Sequence, residues 1–169
     1  MPELSLTDWV VLGIVAEAPT HGFAVARELA PAGALGQVWT VPRPLVYRSI
    51  ASLTEKGLVE ECGEIESERG PARTMVRATR RGRAALKRWL DTPVEHVREV
   101  RTAFLCKLAL IERSGASSAE LIAGQQAELA PVFAALNRSP KGDGFELALA
   151  HWRRESARAV QRFLRSLAQ

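Results

Sequence analysis

The side chains able to do chemistry in this 169-residue sequence are few and scattered. Its three histidines, His21, His96 and His151, are isolated from one another, and its two cysteines, Cys62 and Cys106, form no short-spaced pair. No nucleophile elbow, phosphate-cradling glycine loop, paired-carboxylate motif or metal-ligand cluster occurs in it. Catalysis therefore has no visible seat, and neither a cofactor nor a metal is expected. What remains is charge. From Arg69 to Arg88 every ionisable residue is basic: Arg69, Arg73, Arg77, Arg80, Arg81, Arg83, Lys87 and Arg88. Just before them stand Glu55, Glu60, Glu61, Glu64, Glu66 and Glu68, with only Lys56 among them. Such a run can neutralise a polyanion, and an arginine can also pair bidentately with a guanine edge. The alternative is a solvated stripe that pairs with the neighbouring glutamates.

The bulk composition is that of an ordinary globular chain, with 47% hydrophobic and 25% charged residues and a net charge of +4. Two cysteines without metal-ligand spacing suit a reducing compartment. The opening MPELSLTDWVVLGIVAEA has no basic leader and sets Asp8 and Glu17 around its apolar run. No stretch approaches the ~18 uncharged residues of a membrane span, so a soluble, cytoplasmic protein without membrane contact is expected.

The elements that must position these charges can be read from periodicity. Ser5, with Asp8 three residues later, predicts a capped helix over Leu6 to Ala18, stopped by Pro19. A short helix follows over His21 to Ala30, and Pro31, Gly33 and Gly36 make a loop. A third helix starts near Arg43, between Pro42 and Pro44, with Val46, Ile50 and Leu53 as its buried stripe and Gly57 at its C-terminal cap. Leu58, Val59 and Ile65 against Met75, Val76 and Ala78 predict a hairpin whose loop runs from Glu66 to Ala72. A fourth helix runs from Thr79 or Arg80 to Leu90 and ends before Pro93. The order is three helices, a hairpin and a helix, which is a winged helix-turn-helix.

At about 100° per residue, Arg48 lies opposite the buried stripe of the third helix, with Arg43 and Tyr47 on one flank and Ser52 on the other. This is the face that a recognition helix offers to a major groove. In a winged helix the wing lies beside the nucleic-acid backbone, which places Arg69 and Arg73 at phosphates. The simpler reading packs the Tyr47 ring on the core edge and leaves Arg48 exposed.

From Val94 onward the pattern is helical throughout. Val97, Val100, Phe104, Leu108 and Ile111 form one apolar stripe, and Ser117 with Glu120 predicts a capping box for the next helix, which Pro131 kinks or ends. Asn137 to Gly144 reads as a loop. Phe145, Leu149, Trp152, Ala159, Phe163 and Leu167 recur at near-heptad spacing on the last helix. A lone winged helix has no use for these stripes, so Val97, Val100, Phe104, Leu108, Phe145, Leu149, Trp152 and Phe163 are expected to bury against a second copy. The expected architecture is mainly α with a small β-hairpin: a winged-helix domain over residues 1–92 and a helical dimerisation domain over 93–169.

Over residues 21–90 the sequence resembles the PadR family of bacterial regulators. The resemblance rests on His21-Gly22-Phe23, Tyr47, Leu53, Glu55, Gly57, Leu58, Val59, a Gly-Pro-basic wing, and Thr79 with Gly82. The stretch VREVRTAFLCKLAL is similar to the start of that family's variable dimerisation region. The chain departs from the pattern where a Ser or Thr opens the third helix, having Pro42-Arg43-Pro44-Leu45, and where Phe23 replaces a tyrosine. The resemblance implies a dimeric, repressive regulator that binds a pseudo-palindromic site on double-stranded DNA. It also implies an aromatic-lined cavity for a flat small molecule, which Trp9 or Trp152 would line; core packing is the competing reading for both. The runner-up function is a winged-helix protein-interaction module without DNA binding, suggested by the Glu-rich strand and the missing hydroxyls.

Overall fold

Ser5 starts the first helix as its spacing predicts. In the computed structural model, which describes residues 3–67, 70–136 and 143–168, the Asp8 amide donates to Ser5 Oγ at 3.2 Å and the Ser5 amide donates back to Asp8 Oδ2 at 3.0 Å. This capping box opens α1 (Leu6–Glu17), whose residues Trp9 to Val15 are all buried. A helix apolar on every side belongs at the centre of a core. After Pro19, Thr20–His21 forms a two-residue strand, β1, too short for any period to reveal. Then come α2 (Gly22–Glu28) and α3 (Arg43–Glu55).

Gly57, at φ 65°, turns the chain out of α3 in the left-handed conformation that glycine adopts without strain. Strands β2 (Val59–Ser67) and β3 (Gly70–Ala78) follow. Among the described residues these make one antiparallel sheet, ordered β1-β3-β2, with Ile65 opposite Arg73 and a register shift between Glu61 and Gly63. The strands reach farther toward each other than the predicted Glu66–Ala72 loop. The sheet closes on the start of α4 (Arg80–Asp91). Thr79 explains its own spacing to Gly82: its hydroxyl donates to Gly57 O at 2.9 Å and accepts the Gly82 amide at 3.0 Å. A Cβ on Gly82 would stand 2.0 Å from Leu58 O, so only glycine lets the helix meet the strand there.

The chain divides into two compact units, Met1–Leu90 with Cys106–Ala116, and Asp91–Leu105 with Ser117–Gln169. In the first, the core runs through α1, α3 and α4, with Trp9 and Trp89 stacked at 5.3 Å. Cys106 and Leu110 complete it, which is why residues 106–116 group here rather than with the helices that follow residue 92. Burial pushes the Cys106 thiol up to about 12, as suits a small hydrophobe. Arg113 closes this unit by pairing with Glu17 and Glu28 at 2.7 and 3.0 Å.

The stripe from Val97 falls on α5 (Val97–Glu99), a π-helical turn (Val100–Phe104) and α6 (Leu105–Arg113). In the second unit, Gln125 is fully buried on α7 (Ala119–Leu136) and clamps the Val94 backbone, accepting its amide and donating to its carbonyl, each at 2.8 Å. The helix begins two residues after Ser117, whose hydroxyl accepts the Ala119 amide at 3.3 Å. Pro131 stays inside it. Of the predicted Asn137–Gly144 loop, residues 137–142 lie outside the described residues. The last helix, α8, spans Gly144–Ser166.

Asp8 also accepts the Ser49 hydroxyl at 2.6 Å, joining α1 to α3. Asp8→Ala, which removes the carboxylate half of the capping box and strands that hydroxyl, should lower the unfolding free energy by about 1–3 kcal/mol in a urea titration. A midpoint and slope equal to those of the parent would contradict this account of the α1–α3 contact.

Candidate nucleic-acid interface

The rotation of α3 decides which of its side chains reach solvent. Val46, Ser49 and Leu53 face the core, whereas Ile50 is only half-buried. Val46 and Leu53 of the predicted stripe are buried and Ile50 packs half-buried against the same core, while Ser49, at 4% exposure, is buried as well, with its hydroxyl on the Asp8 carboxylate. The exposed side keeps Arg43, Tyr47 and Arg48 as predicted. Ser52 is half-buried and accepts a hydrogen bond from Lys56 Nζ.

The start of α3 has no side-chain cap. Little is left there to cap: the Leu45 and Val46 amides both donate to Pro42 O, and Pro44 has no N–H. The prolines thus remove the need for the missing Ser or Thr. They also leave side chains as the main polar groups at this end.

Those side chains gather around Phe23, at the first turn of α2. The guanidinium carbons of Arg43, from α3, and Arg73, from β3, each lie 5.2 Å from the centre of its ring. Arg43 also lies 5.5 Å over the Tyr47 ring, and its Nη2 donates to Tyr47 Oη at 3.4 Å. Gly22 gives Tyr47 its seat, since a Cβ there would stand 2.7 Å from Cε1 of that ring. These residues, with His21, Glu61 and Thr74, line an open cleft of ≈ 770 Å³ between α2, α3 and the hairpin. Arg69 lies outside the described residues. Farther along the basic run, Arg77 pairs with Glu60 at 2.7 Å and Arg83 donates to Ala16 O at 2.6 Å. At Arg77, then, the glutamate-paired reading is the one realised.

In the second unit, Val100 and Phe104 are buried, and Phe163 meets Phe104 edge-on at 6.5 Å. Val97, Leu149 and Phe163 are half-buried, and Leu108, in the first unit, is buried. Phe145 and Trp152 instead stand 79% and 71% exposed. Trp152 lines a cleft of ≈ 640 Å³ with Val97, Arg98, Arg101 and Arg153. Trp9 is spent on the Trp89 stack and borders none of the clefts described here. No group of three or more His, Cys, Asp or Glu among the described residues could hold a metal ion. No helix among them is long and apolar enough to cross a membrane.

Residues 11–88 match the model of the transcriptional regulator PadR-like family. They form a PadR-like domain. The family is one of transcriptional regulators. No curated protein matches the chain. Among solved structures it is similar to Bacillus subtilis PadR in complex with operator DNA, at 17% identity over 96% of this chain and 97% of that one, with a TM-score of 0.49. It is also similar to the same protein in complex with p-coumaric acid, at 17% identity over 97% of each chain and a TM-score of 0.46. A third structure, of Bacillus subtilis PadR alone, is 18% identical over 96% of this chain and 93% of that one, with a TM-score of 0.44.

Within the PadR-like domain, sequence reasoning named Arg43, Tyr47 and Arg73 singly and missed Phe23 as their common support. The His-Gly-aromatic run was the available signal. His21 has a further part: its Nδ1 accepts the Ala24 amide at 3.1 Å and so caps α2 as a neutral ring. Burial, and then the nearby Arg73, hold its pKa below the ordinary 6.5. With the folded value depressed, the stability contributed by the neutral ring is present above the unfolded value and is lost as pH falls through the folded one. Unfolding free energy should decline as pH is lowered from 7 toward 5. His21→Asn, which caps without titrating there, should flatten that decline; an unaltered pH profile in the variant would refute the assignment.

Proposed function

We propose that this regulator represses transcription as a homodimer that binds a pseudo-palindromic operator in the cytoplasm. Each protomer sets the exposed side of α3 in a major groove and its β2–β3 hairpin along the backbone, with half-sites about one helical turn, roughly 34 Å, apart. The observation that carries the reading is the cationic, aromatic face made by Arg43, Phe23, Tyr47 and Arg73 beside the exposed Arg48. Arg48 reads base edges, Arg73 and Arg69 neutralise phosphates, and Arg43, Tyr47 and Ser52 flank the contact.

Two exposed aromatics, Phe145 and Trp152, seven residues apart on one helix, favour burial against a second copy. A flat aromatic effector fits the Trp152 cleft, where Arg98, Arg101 and Arg153 supply cations for an acidic substituent.

Selecting bound fragments from genomic DNA gives the operator, and its titration tests the roles. Arg73→Ala should weaken binding to every sequence and reduce the log–log salt slope by about one unit. Arg48→Ala should cost about 1–3 kcal/mol on the selected site and less on other DNA. Equal, salt-independent losses from both would refute the roles, and retention of neither duplex nor heparin would favour the interaction-module reading. A compact monomer by light scattering at micromolar concentration would sink the dimer. Aromatic acids that leave both Trp fluorescence and operator affinity unchanged would sink the effector.

A further inference from the structure

Phe23 is a large apolar ring left 42% exposed at the mouth of the first unit's cleft. Two guanidiniums lie over its ring, which also stacks with that of His21 at 6.4 Å. Arg43 comes from the first turn of α3 and Arg73 from β3, and with both guanidinium carbons 5.2 Å from one ring centre they are at most twice that far apart. Like charges held so close repel unless something offsets them. Neither arginine forms an ion pair with a described carboxylate, and among the described residues Glu61 is the one acidic residue lining the cleft. The face of an aromatic ring attracts guanidinium, and a guanidinium lying over it keeps its in-plane N–H donors for an oxyanion. His21, which the same cleft contains, is held neutral and adds no third charge at neutral pH.

We infer that Phe23 is a positioning residue: it ties Arg43 and Arg73 into a single clamp for nearby phosphates of one DNA strand. The inference rests on the DNA-binding reading above. One strand carries a phosphate about every 3.4 Å of helix axis, so two guanidiniums at most twice 5.2 Å apart fall within about three phosphate steps of one strand. The ring therefore couples two elements that no backbone hydrogen bond joins directly, the start of the recognition helix and the hairpin. Bound DNA supplies the negative charge that the cluster lacks.

The test uses a duplex of mixed sequence, whose binding reads phosphate contacts, and the full chain with Phe23→Leu, Phe23→Tyr, Arg43→Ala, Arg73→Ala and the arginine double variant. Phe23→Leu keeps an apolar side chain of similar bulk and loses the ring. It should weaken binding roughly three- to tenfold and reduce the salt slope, with its thermal midpoint close to that of the parent. Phe23→Tyr should bind as the parent does. In the parent background the two arginine substitutions should be coupled, the second costing less once the first is made; in the Phe23→Leu background they should become additive. A Phe23→Leu protein with parental affinity and salt slope overturns the clamp while leaving DNA binding intact. Should Phe23→Leu unfold, the arginine cycle in the parent decides alone, and additivity there overturns the proposal. A parent that binds no duplex at any salt concentration overturns the DNA-binding reading and the clamp with it.

Discussion

The Asp8 carboxylate is the contact on which the rest of the first unit turns. One of its oxygens accepts the Ser5 amide and hydroxyl, and the other accepts the Ser49 hydroxyl. The first pair starts α1, and the second joins α3 to it. A buried hydroxyl without a partner costs about 1–3 kcal/mol, so the Asp8 carboxylate is what lets Ser49 lie inward beside Val46 and Leu53. With Ser49 inward, Arg43, Tyr47 and Arg48 stay outward together. The exposed chemistry of α3 thus stands opposite a side anchored by apolar packing and by one polar contact to α1.

Much of this fold was legible in the sequence because its signals are local. The Ser5–Asp8 spacing, the proline at the start of α3, the left-handed Gly57 and the Thr79–Gly82 spacing each act within a few residues, and each appears where the pattern placed it. Two features were hidden because their cause lies far along the chain. The inward turn of Ser49 depends on a carboxylate 41 residues earlier. The strand at Thr20–His21 exists only through its pairing with Met75 and Val76. The site divides in the same way. Exposure of Arg43, Tyr47 and Arg48 follows from helical period, whereas the meeting of Arg43 and Arg73 on Phe23 requires the hairpin to fold back.

In the second unit, apolar periodicity groups residues that the fold separates. Val100 and Phe104, on the stripe that begins at Val97, are buried inside the chain, and Phe163 is half-covered against Phe104. Phe145 and Trp152, on the same reading of α8, are open to solvent. Period alone cannot separate the two groups, because a residue facing its own chain and one facing another obey the same spacing. Gln125 adds a specific device: a side-chain amide paired with both backbone groups of Val94 fixes the segment entering α5 without any regular structure.

The prolines at the head of α3 reach beyond local geometry. Helix starts commonly offer a ring of unfilled amides to an anion, a short-range and directional form of attraction. Here Pro44 lacks an amide, and those of Leu45 and Val46 turn back to Pro42. What this corner offers an anion is therefore carried by arginine side chains, whose field extends over about a Debye length and fades as counterions accumulate. The attraction it exerts is long-range rather than directional, and is set by the ionic composition around it.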